Sequence, residues 1–199
     1  MQILGISRRY DMITVVSGLP RSGTSMMMRM LEAGGMKVVT DGIRLADHDN
    51  RDGYYELEKV KQLGEDGDKS WLSTAKGKVV KIISQLLKEL PANFSYKVIF
   101  MQRQMPEILA SQKQMLIRSG GATDRISDEE LAKLFEKHLS NVEFWLSKQP
   151  NFDVIFVNYT DIVENPNDSI IKINEFLGGN LNIAAMNGVI DKSLHHQRT

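Results

Sequence analysis

Apolar positions along the chain follow two rhythms. Five short runs are almost continuously apolar: "MITVVSG" from Met12, "MKVVTD" from Met36, "GKVVKIIS" from Gly77, "YKVIFMQR" from Tyr96 and "FDVIFVNY" from Phe152. Runs of this length, rich in Val, Ile and Phe, predict strands buried on both faces. Between them the apolar residues return every three or four positions. "TSMMMRMLEA" sets Met27, Met30 and Leu31 on one helical face and stops at Gly34 and Gly35. "SDEELAKLFEKHLSNVEFWLSK" places Leu131, Leu134, Phe135 and Leu139 at helical spacing, and Ser127 with Glu130 predicts a capping box. "QLLKELP" reads as a short helix closed by Pro91, and "NPNDSIIKINEFLGG" as a helix with Pro166 near its start and a glycine stop. Apolar strands alternating with helices predict an α/β fold, a central parallel sheet with helices on both faces.

The 199 residues, 42% of them hydrophobic, suffice for one good-sized core, so a single domain is expected. Residues 1–11 read as a short extension ahead of the first strand. Residues 42–76 form a polar, aromatic and glycine-dotted insertion, and a loop this long in a compact domain is usually functional or partly helical. Charge is balanced at 25 Lys+Arg against 25 Asp+Glu, which argues against a nucleic-acid or membrane-surface partner. Without cysteine there is no disulfide, thiol catalysis or cysteine-ligated metal. No apolar run approaches the ~20 residues that span a bilayer, and a cytoplasmic protein is the simplest expectation.

Candidate chemistry begins at "GLPRSGTS" (Gly18 to Ser25), glycines five residues apart between a strand and a helix. Glycine lets the backbone turn tightly around an anion, and the first N–H groups of the helix then point at it, helped by the helix dipole. Two chemistries compete for such a loop. A magnesium-dependent kinase or ATPase needs lysine where Thr24 stands and an Asp on a neighbouring strand, a part Asp41 could fill.

The other chemistry comes from resemblance. "PRSGTS" (Pro20 to Ser25) resembles the phosphate loop of the sulfotransferases that use 3'-phosphoadenosine 5'-phosphosulfate (PAPS). The resemblance implies a phosphate-loop-type three-layer fold. It implies that the backbone of Ser22, Gly23, Thr24 and Ser25 holds the 5'-phosphosulfate, with Arg21 beside the bridging oxygen and Met26 near the adenine. "VIFMQRQMPEILASQ" is similar to the family's 3'-phosphate element, with Arg103 ending the strand and Ser111 eight residues on. An arginine fork and a helix hydroxyl suit a phosphate on physical grounds too. "FVNYTDIVENP" resembles a third element and implies Tyr159 near the adenine. "VVKIISQLLKELP" lines up with the strand whose lysine contacts the transferring sulfuryl group, which implies that part for Lys81; a lysine on an exposed strand end is the alternative. A basic segment late in the family's chains implies Arg198 as a further cofactor contact, a disordered tail being the other reading.

The chain departs from the family where the general base should be. Ile83 replaces the histidine, and isoleucine takes no proton. The insertion "LADHDNRDGYYELE" offers Glu56 first and His48 second, and neither being catalytic is the alternative. Tyr54, Tyr55 and Trp71 either line an acceptor site or anchor the insertion. The adjacent His195 and His196 have no converging ligands in the sequence, so no metal is expected. The expected activity is sulfuryl transfer without metal to a hydroxyl or amine of a small-molecule or carbohydrate acceptor, leaving 3',5'-adenosine bisphosphate. The alternatives are a kinase and a nucleotide-binding protein that has lost its base.

Overall fold

The computed structural model describes residues 12–41, 55–64, 67–121 and 126–190. Five strands form one sheet: β1 (Met12–Gly18), β2 (Val38–Val39), β3 (Val79–Lys81), β4 (Ser95–Gln102) and β5 (Phe152–Asn158). Their order is β2-β3-β1-β4-β5 and every pairing is parallel. The central pair runs in register from Met12 opposite Ser95 to Gly18 opposite Met101. The helices are α1 (Thr24–Ala33), α2 (Glu58–Lys61), α3 (Met105–Arg118), α4 (Asp128–Leu146), α5 (Tyr159–Glu164), α6 (Pro166–Leu177) and α7 (Ile183–Gly188).

The side-chain alternation of the strands splits the core in two, as expected for a sheet buried on both faces. On one face Ile13, Val15, Val80, Ile82, Val98 and Phe100 pack with Val142 and Leu146 of α4. On the other, Val16, Val79 and Ile99 pack with Met27, Met30 and Leu31 of α1, and with apolar residues of α5, α6 and α7. The three-layer α/β arrangement expected of the sequence is therefore present.

The strand at "GKVVKIIS" is only three residues long and that at "MKVVTD" only two, and the short helix predicted at "QLLKELP" forms as a tight 3-10 helix over Ser84–Glu89. Leu87 is fully buried there and Leu90 nearly so, so packing onto the sheet fixes the tighter winding. Of the insertion, the described parts are α2 and 3-10 turns at Gln62–Gly64 and Ser70–Ala75. Trp71 is 6% exposed and packed in the core, which makes it an anchor of this segment.

The capping box at Ser127 and Glu130 forms as predicted, each side chain accepting from the other's backbone N–H. Ser127→Ala is expected to lower unfolding free energy by about 1 kcal/mol, read by urea denaturation, without changing ligand binding.

Candidate active site

Chain order places the candidate residues. The chain leaves β1 for β2 and β3 on one side and then crosses to β4 and β5 on the other, so the order reverses at β1. In open α/β sheets such a switch point opens a crevice beyond the carboxyl ends of the strands. "GLPRSGTS" sits there, at the end of β1, with Lys81 ending β3, Arg103 following β4 and Tyr159 following β5.

The loop is a strained, close-packed turn. Gly18 has φ 146°, and a Cβ on it would stand 2.6 Å from the Met101 carbonyl. Gly23, the N-cap of α1, has φ 96°, and its Cβ would stand 2.5 Å from Cδ2 of Tyr159. Arg21 holds φ 71° although it is not glycine; such a conformation costs about 1 kcal/mol or more and gathers at functional sites. The buried Ser22 hydroxyl donates to the Leu19 carbonyl at 2.7 Å, closing the turn. No side-chain hydrogen bond caps α1 at Gly23.

Two groups of side chains meet this loop. In the first, Nε of Arg21 donates to Oγ of Ser111 at 2.8 Å, and Nη1 of Arg103 donates to the Arg21 carbonyl at 3.1 Å. The Arg103 guanidinium lies 4.2 Å over the ring of Tyr159 and pairs through Nε with Oε2 of Glu107 at 2.6 Å. Tyr159 is 7% exposed, wedged between Gly23 and Arg103. Burial, more than the partly compensating Arg103 charge, pushes its hydroxyl up from the ordinary tyrosine range. In the second group, Nζ of Lys81 donates to Oγ of Ser25 at 3.1 Å and stands 3.8 Å from Oε1 of Glu56. Lys81 is 10% exposed and Glu56 33%. Glu56 is held from outside: the Thr40 hydroxyl donates to its carbonyl, and Tyr55 beside it donates to Oε2 of Glu32 at 2.6 Å.

The structure thus brings together Arg21, Ser22, Gly23, Thr24, Ser25, Arg103, Ser111 and Tyr159 around one loop, with Lys81 and Glu56 beside it. Met26 is partly buried against the α1 face of the core. Ile83 is 40% exposed. His48, Tyr54, His195, His196 and Arg198 lie outside the described residues. Asp41, the residue a kinase would turn to magnesium, accepts the backbone N–H of Glu58 at 2.6 Å, at the start of α2. Among the described residues no three His, Cys, Asp or Glu side chains cluster to hold a metal.

Sequence reasoning missed two groups. Glu107 follows Arg103 by four residues, a spacing that could have flagged the pair. His138 looked like one more position on a long helix, yet its Nε2 lies 2.9 Å from the buried Ser84 hydroxyl. Burial, then the Lys88 charge, holds its ring below the usual histidine range.

Family membership follows from the chain as a whole. A model of the sulfotransferase domain matches residues 11–198. The chain belongs to the sulfotransferase family. Solved sulfotransferases share its fold at low identity. The mouse sulfotransferase SULT7A1, complexed with PAP, is 16% identical with a TM-score of 0.55, the match covering 96% of this chain and 68% of that one. The sulfotransferase STF1 from Mycobacterium tuberculosis H37Rv is 16% identical with a TM-score of 0.62, over 96% and 73%. A retinol dehydratase in complex with androsterone and the inactive cofactor PAP is 17% identical with a TM-score of 0.50, over 88% and 62%, so this chain spans under two thirds of that one. A search of curated protein sequences gives no match.

Two outcomes check this geometry. Gly23→Ala, strained at φ 96° and in collision with Tyr159, should cost about 1–3 kcal/mol of stability by chemical denaturation. For His138 the folded pKa is lowered, so the unfolded chain binds more protons just below pH 6.5. Stability should therefore fall as pH drops through that window, and His138→Gln should flatten the dependence.

Proposed function

We propose that this sulfotransferase-family protein moves a sulfuryl group from PAPS to a hydroxyl or amine of a small-molecule or carbohydrate acceptor. The observation that carries the reading is the meeting of Arg21, Arg103 and Ser111 at one end of the sheet, joined by hydrogen bonds across about ninety residues of chain. Three cations, Arg21, Lys81 and Arg103, stand at this loop, Lys81 near Glu56 and Arg103 paired with Glu107. That donor set fits a ligand with several anionic groups.

In this reading the amides of Ser22 to Ser25 and the helix dipole hold the 5' end, while Arg103 and Ser111 hold the 3'-phosphate. PAPS, when bound, supplies the activated sulfuryl group, and its product is 3',5'-adenosine bisphosphate, the PAP of the mouse and retinol dehydratase structures. Arg21 and Lys81 supply positive charge where negative charge develops on the leaving oxygen, so electrostatic positioning carries the reaction without metal. Glu56, beside Lys81 and anchored through Thr40, takes the acceptor's proton where Ile83 cannot; His48 is the second candidate for that part. Met26 and Tyr159 border the adenine, Tyr159 acting mainly by holding Arg103, and Arg198 closes the 3' side. Residues 42–76 form the acceptor side. Among the described residues no helix is long and apolar enough to cross a membrane, and the reading includes a cytoplasmic location with neither nucleic-acid nor membrane partner.

Thr24 in the lysine slot, and an Asp41 carboxylate already accepting the Glu58 amide, count against a magnesium-dependent kinase. Ile83 alone would favour a binding protein without activity, and Glu56 beside Lys81 is the reason to prefer an enzyme.

Sulfate-labelled PAPS offered with a broad acceptor panel tests the proposal, with transfer of label as the expected outcome. No labelled acceptor despite donor binding would favour the binding protein. Lys81→Ala should lower turnover by about 10²-fold or more with little change in donor affinity. Glu56→Gln should lower kcat by about 10²-fold; near-normal turnover would exclude Glu56 as the base.

A further inference from the structure

Glu107 raises a problem for an anion site. It is 8% exposed, lies on the first turn of α3, and sets a carboxylate against the arginine assigned to the 3'-phosphate. A buried carboxylate so close to a phosphate repels it and is itself costly to desolvate. Its contribution must lie elsewhere, and the geometry shows where.

The Arg103 and Glu107 side chains are 8% and 10% exposed, and their contact runs through Nε alone, at 2.6 Å. Nη1 of the same guanidinium donates to the Arg21 carbonyl, and its plane lies over Tyr159. A planar guanidinium fixed at Nε, at Nη1 and across its face has one orientation left. The donors not engaged in these contacts belong to the two Nη atoms.

We infer that Glu107 is a positioning residue for nucleotide selectivity: by holding Nε of Arg103 it aims the Nη edge at the 3'-phosphate and makes the site distinguish a 3',5'-bisphosphate from a 5'-monophosphate. This rests on the PAPS reading above. What matters is the accepting oxygen at the right reach, and the negative charge is a cost that the fixed geometry outweighs.

Three substitutions separate reach from charge. Glu107→Gln keeps an oxygen at the same reach and loses the charge. Glu107→Asp keeps the charge and falls one methylene short. Glu107→Ala loses both. The readout is the ratio of dissociation constants for adenosine 5'-monophosphate and 3',5'-adenosine bisphosphate, by calorimetric titration of the full chain. The ratio should stay within about threefold of the unaltered protein in Glu107→Gln. It should fall about tenfold in Glu107→Asp and Glu107→Ala, the scale of one lost charge-assisted hydrogen bond. Monophosphate affinity should hold steady throughout, whereas a merely structural role would weaken both ligands together. If Glu107→Ala does not fold, Glu107→Asp carries the comparison. A ratio that falls in Gln, or survives in Asp, overturns the assignment. An unaltered protein that does not prefer the bisphosphate overturns the PAPS reading itself; one that does, with the wrong variant pattern, overturns Glu107 alone.

Discussion

The site depends on one guanidinium. Arg103 leaves the end of β4 and is held on three sides, by the Glu107 carboxylate, the Tyr159 ring and the Arg21 carbonyl. Each partner comes from a different part of the chain: α3, the end of β5, and the loop after β1. Those parts meet only because β1, β4 and β5 lie side by side in parallel, with their carboxyl ends together. A parallel sheet is costly to assemble from distant segments. Its return here is a single edge on which residues far apart in sequence become neighbours.

Around that arginine the loop gives up ordinary backbone comfort. Gly18 and Gly23 take conformations that leave no room for a side chain, and Arg21 takes one that most residues avoid. The strain is local and its partners are identifiable, Met101 beneath Gly18 and Tyr159 beside Gly23. Both partners sit in the apolar core on the α1 face. The core thus does more than stabilise the fold: it walls the loop in at Gly18 and Gly23.

Much of this was legible in the sequence, for physical reasons. Strands buried on both faces leave continuous Val, Ile and Phe runs, and each of the five runs contains a strand, two of them only two or three residues long. The loop was legible because glycine spacing reports backbone geometry directly. Arg103 and Ser111 were marked by the family resemblance, and the structure brings both to Arg21, at its carbonyl and at its Nε. What escaped depended on distance in three dimensions. Nothing in "GYYELE" says that Glu56 reaches Lys81, since the route runs through Thr40 at the end of the second strand. The pairing of His138 with Ser84 joins a helix face to a 3-10 turn 54 residues earlier in the chain.

The central claim is that this loop and its arginines hold an adenosine bisphosphate without metal. The most direct measurement is the thermal midpoint of the full chain with a chelator present, in 3',5'-adenosine bisphosphate and separately in ATP with magnesium. Ligand bound only to the native state raises the midpoint by mass action. The account predicts a rise of several degrees with the bisphosphate in chelator and little change with ATP and magnesium. A larger rise with ATP that needs magnesium, and none with the bisphosphate, would contradict it.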